Sequence, residues 1–208
     1  MYVNSRSHFI LRGIYMAKDT KQKIIYAALE IFARDGYAGT NIKDIADEVG
    51  IVKSALYRHF ESKEEIWNAV FEEIINYYNS RFGLSKIPQN TDELYKMTMQ
   101  MLNFTIHDKS IISMRKILHT EQFRDDKVKA LASHYFLYDT KDMFTKIFAE
   151  MIKNGKIKED DPEILALSYA APITGLIHLC DREPDKEKEV MKQIDLFINH
   201  FINTYGVK

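Results

Sequence analysis

Residues 40–63 read TNIKDIADEVGIVKSALYRHFESK, a pattern that predicts two short helices joined by a tight turn. Its first half carries one apolar stripe at helical spacing, formed by Ile42, Ile45, Ala46 and Val49. Gly50 follows the stripe, in the place where a left-handed residue ends a helix before a sharp reversal. The pattern predicts a helix that ends at Gly50. Thr40 precedes it, and its hydroxyl is expected to accept from the amides of the first turn.

A second short helix is predicted over residues 53–60, because Leu56 and Phe60 at i and i+4 turn inward together. The positions that then face outward are Lys53, Ser54, Tyr57 and Arg58. Two crossed helices with a glycine turn form a helix-turn-helix, whose second helix can enter a DNA major groove. An ordinary helical hairpin has the same periodicity and stays open, but two cations, a phenol, a hydroxyl and His59 favour the DNA-binding interpretation.

The stretch resembles the DNA-binding domain of the TetR family of bacterial transcriptional regulators. The residues that carry the resemblance are 24–36 (IIYAALEIFARDG), Thr40, Ile45-Ala46, Val49-Gly50, 56–60 (LYRHF) and Ser62-Lys63-Glu64-Glu65-Ile66. They cover the first quarter to third of the chain, and the remainder is similar to the family only in length and helical character. The resemblance implies an all-α protein. It also implies two domains in this chain. Residues 16–62 are expected to form an N-terminal three-helix helix-turn-helix domain, and residues 63–208 a C-terminal helical ligand-binding and dimerisation bundle.

Composition agrees with a globular helical chain. The 208 residues are 46% hydrophobic and 28% charged, with 8 glycines and 4 prolines. The net charge of −1 gives no sign of nucleic acid, but five cations and one acid precede Ile24, and a local basic face is what DNA requires. One cysteine, Cys180, permits no internal disulfide, which is consistent with the cytoplasm. We expect no apolar run comparable with the roughly 18–20 residues of a membrane span.

Residues 1–15 lie outside the family pattern and Met16 looks like a natural start, so an upstream start codon and a genuine N-terminal extension both stay open. The extension is a poor fit to a signal peptide, because its apolar part is short and interrupted by Arg12-Gly13. An arm toward the minor groove and packing against the protein itself both stay open.

Helix signals recur along the rest of the chain. Helices are predicted at 18–35, ended by Gly36, and from a capping box at Ser62 and Glu65 to about residue 78. The pattern breaks at residues 83–88. Further helices are predicted at 90–106, 110–119, 125–154, from Pro162 to 180, and at 186–205.

The resemblance and outward exposure together assign the DNA contacts. Phosphate contacts are predicted for Thr40, Lys43, Tyr57, His59 and Lys63, and base-edge contacts for Lys53, Ser54, Ala55 and Arg58. We expect Arg58 or Lys53 to read at least one G·C pair in each half-site. An ion pair of Arg58 with Glu61 or Glu64 is the alternative. Val52 departs from the family, because many relatives have a capping Ser or Thr there.

The middle helices are rich in thioethers and aromatic rings, which suit an apolar or aromatic effector and equally an ordinary core. The candidate effector-binding residues are Met97, Met101, Phe104, Met114, His119, Phe123, Tyr135, Tyr138 and His178. His119 and His178 are the candidate polar anchors. Pro172 lies inside a predicted helix, where it removes one backbone hydrogen bond.

The helix around residues 164–180 is apolar nearly all round, so both its sides must be covered. With the last helix it predicts a two-fold four-helix interface between two copies of the chain. The predicted interface residues are Leu165, Tyr169, Ile173, Leu176, Ile194, Phe197, Ile198 and Phe201. A monomeric bundle core is the alternative, and dimerisation of the family in this way favours the interface.

The expected function is therefore a regulator, by the family's commoner mode a repressor, that binds a palindromic DNA operator as a homodimer and is released by a small molecule. An enzyme is less favoured, because the chain contains no Gly-rich phosphate loop, Gly-x-Ser-x-Gly, His-Glu-x-x-His or Cys-x-x-Cys. No motif predicts a cofactor or a metal. A helical interaction module without DNA binding stays open, although the predicted phosphate-contacting residues are all present.

Overall fold

A computed structural model of the chain describes residues 20–82 and 87–207, with the side chains of residues 81 and 82 excepted. The chain divides into two compact units, Met1–Tyr78 and Asn79–Lys208. The extension at 1–15, the start at Met16 and the predicted helix start at residue 18 lie outside the described residues, as do residues 83–86 of the predicted break. The domain boundary at 62/63 stays a prediction.

The described residues of the first unit form four helices: α1 (Thr20–Gly39), α2 (Ile42–Val49), α3 (Lys53–Leu56) and α4 (Lys63–Phe82), of which the last four residues belong to the second unit. Helix α1 is broken at Gly36, whose φ of 72° and ψ of 170° are open only to glycine, so the predicted stop is confirmed. Gly50 ends α2 in the left-handed conformation, with φ 76° and ψ 33°, as predicted.

The core of the first unit is built from the apolar faces of these helices. Five of its side chains have 0% exposure: Ile24, Phe32, Ile45, Leu56 and Ile74. The ring of Phe32 meets Trp67 edge-on, with 4.8 Å between centroids, and Trp67 meets Phe71 in the same way at 4.9 Å. Helices α1 and α4 thereby hold α2 and α3 from behind.

The second unit consists, in the described residues, of α5 (Thr91–His107), α6 (Lys109–Glu121), α7 (Asp126–Ser133), α8 (Asp139–Lys153), α9 (Pro162–Arg182) and α10 (Glu187–Tyr205). Side-chain caps begin several of them as the sequence predicts. The Asn90 side chain accepts from the Glu93 amide at 2.8 Å, and Asp161 caps α9 with Pro162 in the first turn. The predicted helical architecture is confirmed.

The helix predicted over 125–154 is interrupted. A π-helical segment, His134–Tyr138, separates α7 from α8 and contains no buried residue. Helix α8 ends as predicted: Gly155 has a φ of 62°, and the Lys156 amide donates to the Met151 carbonyl at 2.8 Å. An antiparallel bridge between Ile157 and Gly206 then ties this end to the end of α10.

Helix α9 corrects one expectation. It is long and apolar enough, by length and composition alone, to cross a membrane. The core helix of a bundle has the same composition, and α9 buries seven side chains within its own unit: Leu165, Ala166, Tyr169, Ala170, Ile173, Ile177 and Cys180. In this fold α9 is the central helix of the second unit, which explains why it has so little polar surface.

Candidate nucleic-acid interface and internal site

The predicted recognition helix is one α-helical turn followed by hydrogen-bonded turns. Regular helix ends at Leu56, four residues before the predicted end. The His59 amide then donates to the Leu56 carbonyl at 2.9 Å, and the Phe60 amide donates to the same carbonyl at 3.1 Å. Leu56 and Phe60 are buried, as predicted, and anchor the element at both ends. Val52 precedes it in extended conformation and forms no side-chain cap.

The outward set on this element is confirmed as a surface. Lys53, Ser54, Tyr57 and Arg58 are exposed, while Ala55 and His59 are half-buried. The Lys53 ammonium lies 5.7 Å from the ring centroid of Tyr57, so the two longest side chains of the face support each other. Within residues 20–82 and 87–207 no ion pair involves Arg58, and the alternative pairing with Glu61 or Glu64 is not formed.

A groove of about 450 Å³ lies beside this element, at the start of α2. Its lining residues are Thr40, Asn41, Ile42, Lys43, Asp44, Lys53 and Lys63. Three ammonium groups and the free amides of a helix N-terminus therefore surround one concave surface. Such a surface attracts an anion such as a phosphate. Asp44 opposes them, and its carboxylate accepts from the Asn41 amide at 3.2 Å.

Two predicted phosphate contacts have other partners. Thr40 is not the cap, because Asn41 takes the N-cap position; Thr40 is buried, and its hydroxyl donates to the Gly36 carbonyl at 2.8 Å. The Lys63 ammonium donates to the carbonyls of Tyr37 and Thr40, at 2.7 and 2.9 Å, and lies 4.4 Å from the Tyr37 ring centroid. Both side chains hold the connection from α1 to α2 in place.

The second unit contains an aromatic cluster that includes both predicted polar anchors. His119 on α6 stacks on Phe136 of the π segment, with 4.6 Å between ring centroids. His178 on α9 meets both rings edge-on, at 4.4 Å from His119 and 4.7 Å from Phe136. We call His119, Phe136 and His178 the imidazole cluster.

The imidazoles of this cluster are poor bases. Burial, followed by the neighbouring His119, lowers the pKa of His178 to about 4. Burial likewise lowers the pKa of His119. Both rings are therefore neutral at pH 7. The Nε2 atom of His119 is buried without a hydrogen-bond partner among the described residues.

The other predicted effector residues are scattered. Met114 is core, and Met97, Met101, Phe104 and Tyr135 are half-buried. Two were wrong as lining residues: Phe123 is 89% exposed, in the turn after α6, and Tyr138 is 50% exposed. Both precede or follow a change of helix, where apolar periodicity does not report which way a ring points.

A buried ion pair, Arg115 with Asp181, lies next to the cluster and was not predicted from the sequence. Arg115 is 1% exposed, and its guanidinium binds Asp181 through two bonds of 2.8 and 2.7 Å and also donates to the Thr105 carbonyl. A signal was present, because Arg115 lies four residues after Ile111 and three before Leu118, within the apolar stripe of α6.

The predicted interface residues are mostly core. Six have at most 7% exposure within one protomer: Leu165, Tyr169, Ile173, Ile194, Ile198 and Phe201. Leu176 and Phe197 pack partly buried against them. Periodicity cannot distinguish the faces of an all-apolar helix, and the predicted residues of α9 lie on the face that packs inside the protomer. Its exposed face carries Ile164, Leu167, Ala171, Pro172 and Gly175, and α10 exposes Leu196.

Comparison with known proteins gives consistent matches. The family model described as bacterial regulatory proteins, tetR family, matches residues 24–70. The probable HTH-type transcriptional regulator ArpR of Pseudomonas putida is 28% identical over 170 residues, which are 77% of this chain and 80% of that protein. The HTH-type transcriptional regulator TtgR of the same species matches equally.

Solved structures of similar fold include SmeT, described as the repressor of the Stenotrophomonas maltophilia multidrug efflux pump SmeDEF. It has a TM-score of 0.67 at 20% identity and covers 92% of both chains. A SmeT–triclosan complex has a TM-score of 0.73 at 20% identity, over 92% of this chain and 93% of that one. At this identity the likeness concerns the fold.

Proposed function

We propose that this chain, whose residues 24–70 match the model of the tetR family, is a TetR-family regulator that represses transcription by binding a palindromic DNA operator as a homodimer. One observation carries the proposal. The turn from Lys53 to Phe60 is anchored in the core by Leu56 and Phe60, while Arg58 and its neighbours face solvent without an ion pair among the described residues. An anchored element with unpaired donors is what insertion into a major groove requires.

The contacts divide into two kinds. Lys53 and Arg58 would read base edges, where a bidentate arginine selects guanine, and Ser54 and Ala55 would lie against neighbouring bases. Phosphate would be held by Tyr57, His59, Lys43 and the α2 amides that line the groove. Lys63 and Thr40 enter the proposal mainly as positioning residues, because their polar atoms bind the backbone between α1 and α2.

We place the two-fold interface on the exposed face of α9 together with Leu196 of α10. Ile164 is 58% exposed, Leu167 42% and Leu196 60%. A single exposed apolar side chain is ordinary, but several on one surface are typical of an interaction site. Ala171 and Gly175 continue the exposed face along α9, and a Cβ added at Gly175 meets nothing within 4 Å. Helices of a second copy could therefore approach closely, as in a four-helix interface.

We propose that a small apolar or aromatic molecule binds in the second unit and releases the operator. The imidazole cluster supports this, as does the complex of the structural neighbour SmeT with triclosan. Such a molecule would favour the conformation in which the two recognition elements no longer fit successive grooves. The proposal includes no catalytic step, and it places the protein in the cytoplasm, with the DNA.

Selection of bound sequences from random duplex DNA tests the proposal. The expected product is a palindrome with G·C pairs in each half-site and half-sites spaced by whole helical turns. Affinity for this palindrome should fall steeply as the salt concentration rises. The slope of log K against log salt concentration should be roughly −0.9 for each phosphate neutralised. Recovery of no common sequence, with weak binding that salt does not change, would favour the interaction module instead.

A further inference from the structure

We propose that the imidazole cluster recognises a planar aromatic effector that carries a hydroxyl group, and that Nε2 of His119 bonds this hydroxyl. The inference rests on the proposed effector response of the second unit and names the chemical class that the site selects. Three features of the cluster carry it: an unpartnered buried nitrogen, two ring walls at right angles, and a wall segment in which no residue is fully buried.

The nitrogen comes first. Nε2 of His119 is one of two buried side-chain nitrogen or oxygen atoms without a partner among the described residues. Buried polar groups are nearly always satisfied, so an exception requires a reason. In a neutral imidazole Nε2 either carries the proton or offers a lone pair. A hydroxyl both donates and accepts, so it suits either tautomer, whereas a carbonyl or an ammonium suits only one.

The rings define the shape of the ligand. Phe136 lies over His119 with an interplanar angle of 23°, and His178 closes the side at 86° to His119. This is the arrangement in which aromatic rings stack on one partner and meet another edge-on. A flat ring that takes the place of Phe136 on His119 keeps both contacts and brings its substituent to the ring nitrogen.

The π segment provides the way in. Phe136 belongs to His134–Tyr138, in which no residue is buried, and Leu137 and Tyr138 beside it are exposed. Movement of Phe136 therefore uncovers no buried side chain of its own segment, and it can leave Tyr135 in contact with the buried Arg115. π-Helical turns inside α-helices occur frequently at functional sites. His119 and His178 project from α6 and α9, which provide the rigid walls.

The charges near the cluster favour a neutral ligand. Arg115 and Asp181 satisfy each other through two hydrogen bonds, so neither charge is left for an ionic ligand. The two imidazoles are neutral at pH 7 because burial lowers their pKa. A weakly acidic aromatic hydroxyl, uncharged at this pH, fits these surroundings.

The test compares 2-naphthol with naphthalene, which differ only in the hydroxyl. Binding to the full chain without DNA is measured at pH 7 by probe fluorescence and calorimetry. The wild-type chain should bind 2-naphthol more tightly by about tenfold, the value of one hydrogen bond of about 1.4 kcal/mol. His119→Phe keeps the ring but removes the nitrogen, and should bind both probes alike. His134→Phe makes the same change at an exposed histidine of the π segment and should keep the preference.

Phe136→Leu gives a second test that does not alter His119. It should admit both probes more readily while the hydroxyl preference remains. Equal binding of the two probes by the wild-type chain, or a preference that survives in His119→Phe, would overturn the inference. Because no DNA is present, these outcomes do not depend on the operator: an intact preference without operator release would remove only the regulatory role proposed above.

Discussion

The helix-turn-helix of the first unit and the α9–α10 pair of the second are both built from short apolar repeats, but their sequences determine orientation to different degrees. Helix α2 has one apolar stripe and a polar remainder, so only one side can face the core. Helix α9 is apolar on every side, and Leu165 is buried at 1% while Leu167 is 42% exposed. Periodicity therefore determines which side faces the core in the first case and leaves it open in the second.

The physical difference lies in how many arrangements bury a similar apolar area. Rotating α2 would bury Lys43, Asp44 or Asp47 without compensation, which costs far more than a lost contact. Rotating α9 exchanges one leucine for another. Its inward face is selected by how well its side chains fit the core and by one buried hydrogen bond. The Tyr169 hydroxyl lies 2.9 Å from the Thr98 hydroxyl inside the core.

The difference between the two faces of α9 is tested most directly by substituting aspartate for Leu165 and, separately, for Leu167. Leu165→Asp should abolish folding of the second unit, because losing a buried leucine alone costs about 2–5 kcal/mol before the charge is counted. Leu167→Asp should leave the protomer folded and separate the dimer. Circular dichroism measures the helix content, and analytical ultracentrifugation measures the mass.

Gly175→Leu is the matched check on the exposed face, because a Cβ added there meets no atom of the protomer within 4 Å. It should also give a folded monomer. A Leu167→Asp variant that stays dimeric would place the interface elsewhere, and an unfolded one would return Leu167 to the core.

On the DNA-binding face, Arg58→Ala and Lys43→Ala should differ in kind. The first should lower affinity for the selected operator by about 1–3 kcal/mol and relax the preference at one base pair. The second should weaken binding to all sequences alike. It should also make the slope of log K against log salt concentration less steep by roughly 0.9, the value for one phosphate contact. Titrations of operator and scrambled duplexes at several salt concentrations distinguish them. If Arg58→Ala weakened both duplexes equally, Arg58 would be a phosphate contact.

What could be predicted from the sequence follows the same division. Gly36, Gly50 and the pair Leu56 and Phe60 behave as predicted, because glycine conformation and i, i+4 spacing are local properties. The hydrogen-bond partners of Thr40 and Lys63 could not be predicted. Thr40 reaches a carbonyl only four residues back, at the break in α1, whereas Lys63 reaches carbonyls 26 and 23 residues away. The buried pair of Arg115 with Asp181 joins residues 66 positions apart, which no local pattern reports.

The imidazole cluster predicts a dependence of stability on pH. Native His178 has a pKa of about 4, below the value near 6.5 of an unfolded histidine, so the unfolded chain binds more protons between these values. Stability should therefore fall as pH falls, by about 1 kcal/mol from pH 7 to pH 5.5. The groups that act on the ring are His119, Asp181, Arg115 and Arg182.

Urea unfolding of the wild-type chain and of His178→Phe at both pH values measures this dependence. The variant should lose most of the difference, whereas His200→Phe, at an exposed histidine of α10, should keep it. Equal pH dependence in the wild-type chain and His178→Phe would assign the effect to other groups.

The smallest expected effect concerns the start of the recognition element. Val52 has N-cap geometry, with φ −75° and ψ 148°, but no side-chain acceptor, and it is 69% exposed. Val52→Thr replaces one methyl group by a hydroxyl that can accept from the amide of Ser54 or Ala55. It should raise the free energy of unfolding by about 1 kcal/mol, measured in urea. Val52→Ala is the control for the lost methyl groups. If both variants changed stability equally, the start of α3 would not be limited by its missing cap, and α3 would owe its stability to the anchors at Leu56 and Phe60 alone.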